Sequence, residues 1–82
     1  MYSRIRIDEA LKNHAKKTNR GKPMKKVELA ELVIDRDIDI KAKMAKISNW
    51  NVGRVFCNHT DLMKLAEVLK CSTDQLLGRK EF

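Results

Sequence analysis

Three groups of side chains have the most chemical capacity. Residues 41–54 carry Lys41, Lys43, Lys46 and Arg54 and no acid, with the amide of Asn49 among them. Cations beside an amide suit phosphates and base edges, although charge patterning alone reads first as a solvated helix face. Cys57, His59 and Cys71 offer thiolate and imidazole, but three donors fall short of the roughly four that a structural zinc takes. No Ser/His/Asp order, glycine-rich phosphate loop or carboxylate pair falls beside a pocket-forming segment. An enzyme is therefore not expected, and neither is a cofactor or a metal.

These side chains need a scaffold, and length bounds its size. With 82 residues the chain suits one compact domain, because below about 70 to 80 residues a single core supplies only a few kcal/mol. Apolar residues make up 43% and charged residues 35%, too hydrophobic for a disordered chain. No apolar run approaches the roughly 18 residues of a membrane span, and Met1 to Ile7 alternates Arg with Ile instead of building a signal-peptide core. A cytoplasmic protein with reduced Cys57 and Cys71 is the expectation.

The net charge of +7 is unevenly spread. Residues 1–26 hold nine cations and two acids, 27–40 one cation and five acids, 41–54 four cations and no acid, and 55–82 four of each. Two basic blocks flank an acidic one, which predicts a polarised surface and favours a polyanionic partner.

Periodicity and caps predict five helices and no strand. Ile7, Ala10, Leu11, His14 and Ala15 mark the inner face of a helix over about 4–18, started by Ser3 or Asp8, and Gly21 and Pro23 lie in the loop that ends it. Val27, Leu29, Ala30, Leu32, Val33 and Ile34 give a well-buried helix over 24–34, with Glu28 and Glu31 outside. Asp35 to Asp39 read as an acidic connector whose Asp residues can cap the next helix. That helix, 40–52, has the apolar stripe Ile40, Met44, Ile47 and Trp50, with Trp50 as core anchor, and Gly53 to end it. Thr60 is the expected cap of a helix over 60–70. Ser72 and Gln75 stand at capping-box spacing for a last helix over 72–77, stopped by Gly78 and followed by a frayed tail.

In order, the strings Leu29-Ala30-Glu31-Leu32, Ile47-Ser48-Asn49-Trp50-Asn51-Val52-Gly53-Arg54 and Leu65-Ala66-Glu67 through Ser72-Thr73-Asp74-Gln75-Leu76-Leu77-Gly78 resemble the Cro/lambda-repressor helix-turn-helix family. The resemblance covers roughly residues 4–78. It implies an all-α, five-helix DNA-binding domain, 1–82, that regulates transcription, as a repressor of phage or mobile-element type. It departs from the family at residues 33–43, where several extra positions replace a tight turn. Asp35 to Asp39 form either a loop that bulges away from a preserved helix-turn-helix or an extension that changes how deeply the next helix enters the groove, and the resumption of the stripe at Ile40 favours the bulge.

Carried over residue by residue, the resemblance implies base contacts from Lys43, Met44, Ala45, Lys46 and Asn49. Asn49 is suited to adenine and Lys46 to guanine, Ala45 is small enough for close approach, and Met44 by its stripe position belongs partly to the core. Arg54, with Lys25, Lys26 and Lys41 as neighbours, matches phosphate contacts. The implied partners are double-stranded DNA and a second copy, pairing through Leu76, Leu77 and the tail through Phe82, or only weakly until on DNA. An antitoxin-like protein-interaction module using the acidic 28–39 face, and a nonspecific nucleic-acid binder using the basic 4–26 block, are the alternatives.

Overall fold

The computed structural model describes residues 4–19 and 21–82. Among them lie five α-helices and no strand: α1 (Ile7–Lys17), α2 (Lys26–Val33), α3 (Ile40–Val52), α4 (His59–Val68) and α5 (Thr73–Leu76). The all-α expectation holds, and none of these helices is long and apolar enough to cross a membrane.

The start of α1 differs from the expected one for a tertiary reason. The Ile5 N–H donates to the Trp50 carbonyl (3.0 Å) and the Arg6 N–H to the Leu76 carbonyl (2.8 Å), so Arg4 to Arg6 are held between α3 and α5 outside any helix. Ile5 and Ile7 are buried while Arg4 and Arg6 stay exposed, the period of two that the Arg/Ile alternation encodes. Asp8 sits in the first turn, where its charge favours the positive helix end, and Arg6 occupies the cap position without a side-chain bond. Ser3 lies outside the described residues.

Only one face of the eight-residue α2 can turn inward, and it is Leu29, Ala30 and Val33. Leu32, expected in the core, is 57% exposed. Ile34 is buried and closes the helix, after which Asp35 to Asp39 form an exposed, non-helical loop. The connector is anchored by Arg36, whose Nη2 lies 3.3 Å from Asp61 Oδ2 in the first turn of α4. Asp39 stands at the cap position of α3 but makes no side-chain cap bond, contrary to expectation.

Asn19 (φ 55°) follows α1 in a left-handed conformation, and three further helices close on such a residue: Gly53 (φ 76°) after α3, Lys70 (φ 52°) after α4 and Gly78 (φ 79°) after α5. At each of these three, two backbone N–H groups turn back to the last carbonyls, as when Arg54 donates to Asn49 (2.9 Å) and Cys71 to Ala66 (3.0 Å). The Ser72/Gln75 capping box forms as expected. At α4 the cap is Asn58, whose side chain accepts from the Asp61 N–H at 2.8 Å, and not Thr60. Both types cap well, so local sequence gave no clear choice between them.

α2 packs on α3 and α4, α1 on α3 and α5, and α4 on α5. Ile7, Leu29, Val33, Ile34, Ile47, Trp50, Leu65, Leu69 and Leu76 fill the centre. The radius of gyration, 11.8 Å, is what a compact chain of this length shows, about 12 Å. Leu76 is wholly inside and therefore offers nothing to a second copy. The tail is not simply frayed: Gln75 Nε2 donates to the Glu81 carbonyl at 2.9 Å, and Phe82 lines a cleft beside Glu9, Lys12, Asn13 and Lys16 of α1.

Candidate nucleic-acid interface

Helical spacing sorts the side chains of α3 into an inward and an outward side. Ile47 and Trp50 are buried, and Lys43, at i−4 and i−7 from them, shares their side and is half-buried. The opposite row is Lys41, Ala45, Ser48 and Val52, at i, i+4, i+7 and i+11, all exposed. Met44 borders this row on one side, and Ala42 and Asn49 border it on the other. Met44 is 39% exposed, so the apolar stripe read from sequence was rotated: it runs through Ile47 and Trp50 with half-buried Ile40, and leaves Met44 outside.

Of the residues expected to touch bases, Met44 and Ala45 are therefore exposed on the outward side, and Asn49 is half-buried at its border. Lys46 is half-buried on its flank, and Lys43 is turned toward the core with its stem along the inner row. Sequence reading overlooked Ala42, Ser48 and Val52. The same spacing, counted from Ala45 instead of from Ile40, would have found them.

The last turn of α3 is tied to the first turn of α2 by one carboxylate. Asp8 of α1 accepts from Asn51 Nδ2 (3.1 Å) through one oxygen and pairs with Lys26 Nζ (3.3 Å) through the other. Arg4 Nε adds a bond to the Asn51 carbonyl at 3.2 Å. Partial burial works to raise the pKa of Asp8, but the Asn51 amide, the Lys26 ammonium and the Arg4 charge outweigh it and hold the carboxyl below its ordinary value. This arrangement brings the start of α2, with exposed Lys25, toward the end of α3, where exposed Arg54 follows Gly53. Lys26, expected on phosphate, is committed to Asp8, and Arg4 is a nearby cation that sequence reading did not assign. Lys41 stands alone at the opposite end, in the first turn of α3 and exposed.

Charge along the site is accordingly graded. Exposed Asp35, Asp37 and Asp39 precede the N-terminus of α3, where the helix dipole favours them and where they repel phosphate. Lys25, Arg54 and Arg4 give the C-terminal end the opposite sign. A polyanion lying along α3 is drawn to that end.

No protein-family model, curated protein or solved structure matches the chain.

The two thiols stand apart from this surface chemically. Both are half-buried and reduced. Burial, assisted by the Asp61 charge, pushes Cys57 up to about 12, and burial raises Cys71 despite the opposing charge of Lys17. Each is a protonated, weakly nucleophilic group at neutral pH. His14 is buried on the inner side of α1, and His59 is exposed at the first position of α4.

Proposed function

We propose that the chain is a transcriptional regulator, acting as a repressor, that binds duplex DNA sequence-specifically with α3 in the major groove. In this reading α2 and α3 are the two helices of a helix-turn-helix with a lengthened connector, and two copies occupy a two-fold-related site. The observation that carries it is the outward side of α3, exposed from Lys41 to Val52 on a helix fixed from behind by fully buried Ile47 and Trp50. A rigid helix with one uncrowded side is the shape that the major groove admits. Net charge of +7 and the cations at the C-terminal end of α3 supply the sequence-independent attraction.

Selection of bound sequences from a random duplex library, with wild type and Asn49→Ala, tests this reading. Wild type is expected to enrich a two-fold-related motif. Asn49→Ala is expected to lose preference at one base pair per half-site, by about 1 to 3 kcal/mol. Equal retention of scrambled duplexes would sink sequence-specific binding and favour nonspecific contact through the basic N-terminal block.

A second reading has its own observation. Leu32 and Ile38 are exposed within the acidic 28–39 stretch, as on a protein-docking face. In an antitoxin-like module this face holds another protein, and a stable co-purifying partner without DNA retention is the expected result.

A further inference from the structure

We infer that α3 reads A·T base pairs, chiefly by packing apolar side chains against thymine methyl groups. This rests on α3 being the helix in the groove, and it names the bases that the helix is built to meet.

The outward side of α3 consists of Ala42, Met44, Ala45 and Val52, the hydroxyl of Ser48, the amide of Asn49, and Lys41 in the first turn. Four of these seven offer only carbon or a thioether. Guanine is read in the major groove by Arg or Lys on its O6 and N7, and cytosine by a carboxylate that accepts from its N4 amino group. The outward side has neither an arginine nor an acid. Lys43 is turned inward, Lys46 is half-buried on the flank, and Lys41 is confined to the first turn, at the N-terminal end of the row.

Thymine projects a C5 methyl into the groove, and apolar side chains are its complement, while adenine presents N6 and N7 to an Asn amide. Set against a G·C pair, the same carbon surface would cover the guanine acceptors and the cytosine amino group without giving them partners, which costs binding. Set against A·T pairs, it buries methyl groups, each worth about fourfold in affinity. Asn49, half-buried at the border of this row, supplies the adenine-directed contact. Met44 is unbranched, exposed and adaptable, so it can follow a methyl group whose position shifts with groove geometry.

The test uses the duplex that the protein itself selects. The enriched half-site is expected to be A·T-rich where α3 lies. Replacing its thymines by uracil removes the methyl groups and leaves Watson–Crick pairing intact. Wild type is expected to lose about fourfold per contacted methyl. Met44 and Val52 are exposed, so Met44→Ser and Val52→Ser leave the core untouched, and both are expected to bind thymine and uracil duplexes more nearly alike. A selected site with a G·C core, or one whose affinity is indifferent to uracil, overturns the thymine-methyl inference while leaving sequence-specific binding intact. Failure to enrich any sequence overturns the groove reading itself, and this inference with it.

Discussion

Trp50 ends the inward row of α3, 2% exposed, and its carbonyl receives the Ile5 N–H. Truncating a fully buried ring of this size removes its contacts and leaves a cavity, so Trp50→Ala should cost about 3 to 5 kcal/mol. Urea denaturation followed by far-UV circular dichroism measures this, since the chain's one tryptophan is itself the deleted probe. Asp8 makes a different kind of contribution. Its pKa is lower in the folded state, so the stability it adds is present above its ordinary value and is lost as pH falls through the folded one. Asp8→Asn is expected to be less stable than wild type at pH 7, by under about 1 kcal/mol because the Lys26 pair is half-exposed. The gap should begin to narrow as pH falls below the ordinary value of 3.8 and close only below the lower folded one, and a gap unchanged in acid would remove Asp8 from the account. Trp50 was legible in the sequence because its spacing from Ile47 continues an apolar row. Asp8 was not, because its partners come from two other helices and no local pattern announces them.

The helices were legible to the degree that their ends carry chemical signals. Gly53 and Gly78 mark left-handed closures by residue type, and Ser72 with Gln75 marks a capping box by spacing. Lys70 adopts the same left-handed conformation with no such signal, and a residue with a Cβ is strained there by about 1 kcal/mol or more. The Lys70 carbonyl, which accepts from Lys17 Nζ at 2.6 Å, belongs to the backbone and survives substitution. Lys70→Gly should therefore stabilise the domain by about 0.5 to 1 kcal/mol, while Gly53→Ala should destabilise it by at least as much. Thermal unfolding of the two variants gives both signs, and a destabilised Lys70→Gly would refute the strain argument. The two misplaced apolar residues, Leu32 and Met44, have a common cause. In α2 the apolar residues cover more than one face, and in α3 the stripe counted from Ile40 is offset by about one position from the face that packs.

Across the whole molecule, charge separates into an acidic segment ahead of α3 and cations gathered near its C-terminal end. The sequence showed the blocks but not their meeting, because the approach of Lys25 and Arg4 to the Arg54 end depends on Asp8 and Asn51. If duplex DNA binds there, each phosphate neutralised contributes about 0.9 to the steepness with which log affinity falls with log salt. Arg54→Ala should reduce that slope by about 0.9 per bound copy, with little change in base preference, whereas Lys43→Ala should leave it alone. Fluorescence anisotropy across a salt series separates the two, and an Arg54→Ala slope equal to wild type would take Arg54 off the backbone. The stitching of Ile5 to Trp50 and of Arg6 to Leu76 has a consequence for biosynthesis. Ile5 and Arg6 leave the ribosome well before their hydrogen-bond partners, the carbonyls of Trp50 and Leu76. The segment ahead of α1 therefore cannot take up its native hydrogen bonds until α3 and then α5 have emerged.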